Sequence, residues 1–287
     1  MNRLFRRVCG VFCVVILLAV HTACAENPCL TVLTYNIHHG EGTDGKLDLE
    51  RIADVINSVT PDLVALQEVD VKTTRVEGID EAAELSRLTG MTAHFFPAIP
   101  YAGGQYGIGV LVRSSRFVEQ HRFVKNMPCT PGWEDRVVFE LILNLKNAEY
   151  KNPLIRFYGA HLDYHQDERD RLPSARLINE WACKDAVRWL GTEKLAFDVN
   201  APSILAGDLN AEPDSNTIQE LKKCWTASGD RRNQLTWPSH NPDRRIDYIM
   251  FRPHNRWRVI ETRVLDEKVA SDHLPFLAIL ELLPEEK

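Results

Sequence analysis

The chain has 287 residues, a length that suits one large domain with a substantial hydrophobic core. Its 34 basic and 40 acidic residues give a net charge of −6 at pH 7. This acidic balance disfavours proteins that grip long stretches of nucleic acid, but it does not exclude a local basic rim.

Residues 1–25 have the pattern of a secretory signal peptide. Three arginines precede an apolar run over residues 8–20, and Ala23-Cys24-Ala25 offers a cleavage site made of small residues. The run is shorter than the roughly 20 apolar residues that a membrane-spanning helix needs, so an uncleaved anchor is the weaker alternative. A lipid anchor on Cys24 is a third alternative, which the polar His21 disfavours.

Cleavage after Ala25 would leave residues 26–287 as one domain, secreted or periplasmic and without a transmembrane segment. The signal contains three of the 34 basic residues and none of the 40 acidic ones, so the net charge of the remainder is −9. The remaining cysteines are four in number: Cys29, Cys129, Cys183 and Cys224. In an oxidising compartment they allow up to two disulfides with three connectivities, or they stay as buried thiols.

Strand and helix patterns alternate along the chain without repeats or low-complexity linkers. We predict strands over 30–37, 63–66, 107–113, 136–145, 154–162, 203–207, 246–252, 257–265 and 275–282. We predict helices from Asp48 to about residue 59, over 80–88 with Gly90 as the stop, over 173–190 and over 214–224. This alternation predicts an α/β fold with layered sheets covered by helices.

Polar side chains follow several of these predicted strands directly. Asn36 ends the first strand and Glu68 follows the second, where a carboxylate is a suitable oxygen ligand for Mg²⁺. His161 closes a later apolar strand, and a protonated imidazole there could stabilise negative charge. Asp208 and Asn210 stand two apart, so that both point the same way if strand geometry persists. The alternatives are a solvated glutamate, a core histidine and an Asx turn.

The last group lies near the carboxyl end. His273 follows Asp272, and a histidine that acts as a base needs an acceptor on its other ring nitrogen, for which Asp247 is a candidate. Together these residues can supply a cation site, a group that activates water and donors for developing charge. This is the set that hydrolysis of a phosphate ester requires.

The ordered set Asn36, Glu68, His161, Asp208-Leu209-Asn210, Asp247 and Ser271-Asp272-His273 resembles the endonuclease/exonuclease/phosphatase superfamily. Its members include pancreatic-type deoxyribonucleases, apurinic endonucleases, neutral sphingomyelinases and inositol polyphosphate 5-phosphatases. The resemblance implies a four-layer α/β/β/α sandwich, deoxyribonuclease I-like, with two packed mixed sheets flanked by helices. It covers residues 30–283, nearly all of the chain after the signal.

The resemblance also implies roles for these residues. Asn36, Glu68 and Asp272 would bind the metal, Mg²⁺ with Mn²⁺ or Ca²⁺ as alternatives. The catalytic residues would be His161, Asp208, Asn210, Asp247 and His273. Family members differ in whether the aspartate of the Asp-X-Asn triplet or the histidine of the Asp–His pair takes the proton from water, and both alternatives stay open here.

The expected function is hydrolysis of a small or lipid-borne phosphodiester by a monomeric enzyme. An extracellular endonuclease is the first alternative, and a catalytically silent binding protein on the same fold is the second. Ala206 stands where 5-phosphatases have another residue before Gly207-Asp208, which disfavours inositol polyphosphates. The segment over residues 226–245 contains Trp237 and four arginines and is expected to border the cleft, together with the 38–45 loop, residues 101–106 and His165.

Overall fold

A computed structural model of the protein describes residues 27–147, 153–229 and 234–285. The predicted signal peptide over residues 1–25 lies outside these ranges, and so do Arg231 and Arg232. Within the described ranges, no helix combines the length and the apolar character needed to cross a membrane.

Two six-stranded mixed sheets form the centre of the fold. The first contains β1 (Cys29–Asn36), β2 (Leu63–Val71), β3 (Thr92–Tyr101), β4 (Gly104–Val112), β13 (Trp257–Val264) and β14 (Phe276–Leu282), in the order β13-β14-β1-β2-β4-β3. The second contains β5 (Phe117–Asn126), β6 (Val137–Leu145), β7 (Leu154–His161), β10 (Ser203–Asp208), β11 (Thr226–Ala227) and β12 (Asp247–Arg252), in the order β11-β12-β10-β7-β6-β5. A separate hairpin pairs β8 (Val187–Leu190) with β9 (Glu193–Ala196).

Four α-helices occur in the described residues: α1 (Leu49–Ser58), α2 (Glu81–Thr89), α3 (Arg171–Cys183) and α4 (Asn216–Leu221). The predicted helix boundaries hold for the first two. The side chain of Asp48 accepts a hydrogen bond from the Arg51 backbone N–H at the start of α1. Gly90 ends α2 with a left-handed φ of 67°, a conformation in which glycine has no Cβ penalty.

Three hydrophobic clusters show that the layers are stacked as α/β/β/α. Between the sheets, Val32 and Val110 of the first sheet pack with Phe157 of the second. On the outer face of the first sheet, neighbouring residues such as Leu33 pack against α1 and α2. On the outer face of the second sheet, Tyr158 and its neighbours pack against α3 and α4. Alternate residues of each strand therefore serve different clusters, as the pleat requires, and the predicted fold class is confirmed.

The predicted helix over residues 173–190 is wrong in its second half. The helix ends at Cys183, and residues 187–190 form β8. Ile178 and Ala182 are buried as the helical pattern predicts, but Trp189 is 63% exposed. The physical reason is Arg188, whose Nε donates to the buried carboxylate of Glu140 at 2.7 Å and so turns this segment out of the helical course.

Two long strands, β3 and β5, are missing from the sequence-based prediction. Both lie at sheet edges. β3 contains Pro97 and Pro100, which cannot donate a backbone hydrogen bond and which disfavour a strand assignment from sequence. In β5, the apolar pairs Phe117-Val118 and Phe123-Val124 are separated by the polar run Glu119–Arg122, so the residue types do not follow the alternating burial of the strand.

Glu140 on β6 forms a buried ionic cluster beneath the second sheet. Its carboxylate accepts hydrogen bonds from Arg156 Nε at 2.7 Å, from the Tyr158 hydroxyl at 2.6 Å and from Arg188 Nε at 2.7 Å. The side chains of Glu140 and Arg156 are fully buried. One carboxylate therefore compensates two guanidinium groups in a medium of low polarity. Stability should consequently be sensitive to substitution of Glu140.

Three of the four cysteines are thiols, as in the second of the two alternatives. Cys129, Cys183 and Cys224 are free thiols, whereas Cys29 is disulfide-bonded. Burial, together with a hydrogen bond between the Cys183 thiol and its neighbour Cys224, raises the pKa of Cys183 to about 12. Neither of the internal disulfides that the cysteine count allows is present among the described cysteines.

Candidate functional site

The predicted site residues converge because the strands that bear them end at one edge of the two packed sheets. β1 runs parallel to β2, and β7 runs parallel to β10, so their carboxyl ends lie together. Asn36 is the last residue of β1, His161 of β7 and Asp208 of β10. β12 runs antiparallel to β10, and its first residue, Asp247, pairs with Asp208.

Glu68 is placed by an irregularity in β2. The pairing with β4 shifts between Leu66 and Val69, where Gln67 and Glu68 of β2 oppose the single residue Ile108 of β4. Glu68 has a φ of 56°, the left-handed region that a glutamate rarely adopts. A bulge of this kind turns a side chain away from the regular alternation of the strand. The strand also continues to Val71, beyond the predicted end at residue 66.

The side-chain amide of Asn36 joins the two halves of the site. Its Nδ2 donates to Glu68 Oε1 at 3.0 Å and to Asp208 Oδ2 at 3.1 Å, and lies 3.4 Å from His273 Nε2. Its Oδ1 accepts from the His38 backbone N–H at 3.1 Å. These contacts support a role for Asn36 in orienting carboxylates, while its predicted role as a metal ligand stays a prediction.

Asp208 and Asn210 do not share a direction through strand geometry. The strand ends at Asp208, and Asn210 has a φ of 48°. Its backbone N–H donates to Asp208 Oδ1 at 2.9 Å, which is the Asx turn, and its side-chain amide donates to the Leu162 carbonyl at 3.1 Å. Asn210 nevertheless lines the central cavity. Asn210 therefore forms the Asx turn and also lines the cavity, so the two interpretations are compatible.

His273 and Asp247 form the predicted pair. The His273 Nδ1–H donates to Asp247 Oδ2 at 3.0 Å, and Nε2 lies 3.7 Å from Asp208 Oδ2. Burial of the ring lowers the pKa of His273, but the carboxylates of Asp247 and Asp208 outweigh burial and raise it from 6.5 to about 10. In the metal-free protein this imidazole is therefore a cation between two carboxylates at neutral pH.

The pKa of Asp208 is also raised, but for a carboxylic acid this favours the neutral form. Its burial, followed by repulsion from Asp247, raises its pKa from 3.8 to about 7, although His273 acts against this rise. A carboxylate with a pKa near the working pH can both accept and release a proton.

His161 is held in the neutral form, which corrects the expectation of a protonated imidazole. Arg136 Nη1 donates to His161 Nδ1 at 3.0 Å, so the ring proton resides on Nε2. Burial, the Arg136 charge and His273 all lower the pKa of His161 well below 6.5. The Nε2 atom lies 3.6 Å from Asp208 Oδ2. His161 is thus suited to donate a hydrogen bond, not to supply a positive charge.

A cavity of about 470 Å³ opens beside these residues. Glu68, His161 and Asn210 form one part of its wall. The remaining lining residues are aromatic, aliphatic or charged: Arg75, Ile99, Tyr101, Tyr106, Glu134, Arg136, Tyr164, Trp237, Arg244 and Ile246. Tyr101, Tyr106 and Trp237 confirm the expected contribution of their segments to the cavity wall, whereas His165 instead binds Asp163 through Nδ1 at 2.7 Å.

Asp272 does not line the cavity itself but contacts Trp237, which does. Its Oδ2 accepts a hydrogen bond from the indole N–H of Trp237 at 3.2 Å. The adjacent Ser271 hydroxyl donates to the Asn36 carbonyl at 2.7 Å, which connects this segment to the end of β1. In the described residues Asp272 belongs to neither of the two groups that could hold a metal ion, so its role as a ligand stays a prediction.

The chemistry of the donors fits a divalent cation. Two groups of three side chains each bring their ligand atoms within 4.8 Å of one another: Asp208 with Asp247 and His273, and Glu68 with His38 and His39. Asp247 Oδ1 is buried without a hydrogen-bond partner in the described structure. Buried carboxylates gathered in this way repel each other unless a cation or a proton compensates them.

Sequence reasoning missed Arg75 and Arg136, two arginines of the cavity wall. Arg75 donates to both oxygens of the buried Asp70, at 2.6 and 2.8 Å, and its guanidinium lies 4.6 Å from the ring centre of Tyr101. Arg136 precedes β6 and reaches His161 across the sheet. No local motif marks either residue, because their contacts depend on which strands become neighbours.

The sequence matches the family model described as "Endonuclease/Exonuclease/phosphatase family" over residues 33–273. A search of curated proteins gives no match.

Among solved structures, the chain is similar to an endonuclease/exonuclease/phosphatase from Beutenbergia cavernae, with 23% identity and a TM-score of 0.69 over 89% of this chain and 72% of that one. It is similar to the human Nocturnin catalytic domain, with 19% identity and a TM-score of 0.68 over 89% and 95% of the two chains. It is also similar to the mannosyl-6-phosphatase Bt3783 of Bacteroides thetaiotaomicron, with 18% identity and a TM-score of 0.66 over 88% and 99%.

Proposed function

The chain belongs to the endonuclease/exonuclease/phosphatase family, and we propose that it hydrolyses a small or lipid-borne phosphodiester with the aid of Mg²⁺. Members of this family are metal-dependent hydrolases of phosphate esters, so the enzyme class follows from the family. The substrate, the identity of the cation and a secreted or periplasmic location are parts of the proposal.

The charges that line the cavity favour a diester, since two of its three arginines have close carboxylate partners and Arg244 lies 3.9 Å from Asp243. Its three arginines face two glutamates in the wall, Glu68 and Glu134. Arg75 is already paired with Asp70 in a bidentate bridge, and Arg136 Nη1 lies 2.7 Å from Glu134 Oε1. Little positive charge is left for a polyphosphate or for a doubly charged monoester. A diester has a single negative charge, which one divalent cation more than compensates.

The shape of the cavity supports a small organic substituent on the phosphate. A volume of about 470 Å³ lies within the range of sites for small molecules. The guanidinium of Arg244 lies 4.1 Å from the ring centre of Trp237, and that of Arg75 lies 4.6 Å from the ring centre of Tyr101. Flat aromatic walls of this kind pack against a ring or an acyl chain. The net negative charge of the chain disfavours long nucleic acids as substrates.

Glu68 and the carboxylate group around Asp208 are the residues that would hold the cation. When bound, such a cation neutralises phosphoryl oxygens and polarises the phosphorus centre. Asn36 fixes both carboxylates through its single amide group. We therefore expect the substitution Asn36→Ala to loosen the orientation of both ligands together.

We assign the water-activating role to Asp208. Its raised pKa of about 7 makes it a proton acceptor near neutral pH, whereas His273 is held as a cation by the carboxylates of Asp247 and Asp208. The neutral His161 donates its Nε2–H toward the phosphate, and Asn210 presents its amide at the cavity wall. His273 and Asp247 then support Asp208 by holding positive charge beside it.

The test is a hydrolysis panel on the purified chain lacking residues 1–25. Bis-p-nitrophenyl phosphate, adenosine 2′,3′-cyclic phosphate and sphingomyelin represent diesters, while p-nitrophenyl phosphate and mannose 6-phosphate represent monoesters. Plasmid DNA represents the nuclease alternative. We expect diester cleavage that EDTA abolishes and Mg²⁺ restores. Cleavage of plasmid alone at low enzyme, or of monoesters alone, would overturn the proposed substrate class.

The alternative of a catalytically silent binding protein predicts gaps in the set of reactive side chains. All eight predicted residues are present. Asn36 and Asp208 contact each other, and Glu68, His161, Asn210 and His273 each contact one or both of them, while Asp247 is connected through His273. Size-exclusion chromatography with light scattering tests the proposal of a monomer. Fractionation of cells that express the full chain tests the proposed location.

A further inference from the structure

Two adjacent histidines in the loop after β1 are not used by the proposed mechanism. His38 and His39 form a single 3₁₀ turn with φ angles of 47° and 44°. Both values lie in the left-handed region, which costs a residue other than glycine roughly 1–2 kcal/mol. Two such residues in succession persist only where the surrounding structure holds them.

The two imidazoles are gathered against Glu68. A ring nitrogen of each histidine and a carboxylate oxygen of Glu68 all lie within 4.8 Å of one another. The two ring centres are 4.4 Å apart.

The hydrogen bonds determine which lone pairs are free. His38 Nδ1 lies 3.0 Å from the Glu41 carbonyl, to which only a protonated nitrogen can donate, so Nε2 of His38 has the lone pair. A backbone carbonyl on the second ring nitrogen is the usual way in which proteins orient a metal-binding histidine. The His38 backbone N–H also donates to Asn36 Oδ1, which ties the turn to the catalytic carboxylates.

His39 supplies an independent observation. The residue is 8% exposed, and its Nδ1 is buried with no hydrogen-bond partner among the described residues. A buried polar atom without a partner costs roughly 1–3 kcal/mol, and it indicates that a further group completes the site. The other ring nitrogen, Nε2, lies 3.6 Å from the Glu41 carboxylate.

We propose that His38, His39 and Glu68 form a divalent-cation site of mixed nitrogen and oxygen ligands, which takes Mn²⁺, Co²⁺ or Zn²⁺ in preference to Mg²⁺. Two imidazoles and one carboxylate are the donor set of many zinc sites, whereas Mg²⁺ prefers oxygen ligands and water. The inference rests on the proposed function only in that Glu68 is shared with the catalytic site. Arg75 does not oppose the cation strongly, because Asp70 neutralises it.

The experiment measures ligation directly and does not depend on turnover. The chelator-treated chain is titrated with Mn²⁺, and electron paramagnetic resonance of free Mn²⁺ gives the affinity. Pulsed resonance of the bound ion then reports coupling to imidazole ¹⁴N. His38→Ala and His39→Gln are compared with His254→Ala, an exposed histidine in the turn before β13. The glutamine keeps a polar group at the buried position, and circular dichroism checks that each variant is folded.

We expect the unsubstituted chain to show nitrogen coupling and to bind Mn²⁺ at least tenfold more tightly than Mg²⁺. Each of the two site variants should lose at least tenfold in Mn²⁺ affinity and lose part of the coupling, while His254→Ala matches the unsubstituted chain. Absence of nitrogen coupling in the unsubstituted chain, or full coupling in both site variants, would overturn the inference.

Failure of the proposed function gives a different result. If the hydrolysis panel shows no diester cleavage while bound Mn²⁺ still shows nitrogen coupling, the cation site stands and the substrate class is wrong. If diesters are cleaved and nitrogen coupling is absent, the proposed function stands and the histidine site is wrong.

Discussion

The Asp247–His273 pair allows the electrostatics of the site to be tested quantitatively. We consider the substitution Asp247→Asn, which preserves the shape of the side chain and removes its charge. The carbonyl oxygen of asparagine can still accept the His273 Nδ1–H that Asp247 Oδ2 accepts at 3.0 Å. The change therefore isolates the charge from the geometry.

The expected magnitude follows from the surroundings of His273. Burial lowers its pKa, and Asp247 is the largest of the influences that raise it to about 10. An opposite charge at this distance shifts a pKa by roughly 1 to 3. We expect the pKa of His273 to fall by that amount in the variant, which corresponds to about 1.4–4 kcal/mol at 1.36 kcal/mol for each pH unit.

The sign of the stability effect is also determined. The pKa of His273 in the folded protein lies above its unfolded value of about 6.5, so the pair stabilises the fold fully below pH 6.5. This stabilisation is lost as the pH rises toward 10. The variant should therefore be less stable than the parent at pH 6, and the difference should shrink at pH 10.

The assay is a pH titration of the histidine Cε1–H signals by nuclear magnetic resonance in chelator-treated protein, with His273→Gln used to assign the signal. Asp272→Asn is the matched control, because Asp272 contributes less than Asp247 or Asp208 to the rise. Turnover of bis-p-nitrophenyl phosphate should fall roughly 100- to 10,000-fold in Asp247→Asn. A His273 pKa that stays near 10 in this variant would refute the reasoning.

Three further predictions address the base, the buried cluster and the close strand contact. With Asp208 as the base, the hydrolysis rate should rise with pH until Asp208 is deprotonated. That point lies at about pH 7 or lower, since a bound cation lowers the pKa of Asp208. A rate that still rises above pH 9 would contradict this assignment. Glu140→Gln should lower the free energy of unfolding in urea by about 3–5 kcal/mol, because two buried guanidiniums lose their charge partner. The control Glu84→Gln, in a surface pair with Arg87, should leave the free energy of unfolding nearly unchanged. Gly207→Ala should lower the free energy of unfolding by about 1–3 kcal/mol or prevent folding, since the added Cβ would lie 2.0 Å from the Ala160 carbonyl oxygen. An unchanged melting temperature would show that the two strands can move apart there.

Local sequence patterns could reveal the polar residues of the site that stand at strand ends. Asn36, His161 and Asp208 are each the last residue of a buried strand, and apolar runs followed by a polar residue are visible in sequence. The convergence of these ends, in contrast, was inferred from resemblance to a family. The register of β7 with β10, which sets His161 opposite Asp208, is a property of the folded sheet.

The protonation states could not be predicted. His161 was expected to be protonated, and Arg136 makes it neutral from a position 25 residues away in the chain. Likewise, α3 was predicted to continue to residue 190 because Ala186 and Trp189 fit its apolar face. Arg188 binds Glu140 instead, 48 residues away, and breaks that pattern.

The amino-acid sequence by itself determined most of the strands and helices in their order, the layered α/β class and the residue types that can perform the chemistry. These properties depend on hydrophobic periodicity and on neighbours in the chain. The tertiary structure decided the charge on each histidine, the arginines of the cavity wall and the gathering of His38 and His39 against Glu68. Such properties depend on burial and on electrostatic interactions, which act through space and connect residues that no short segment of the sequence contains.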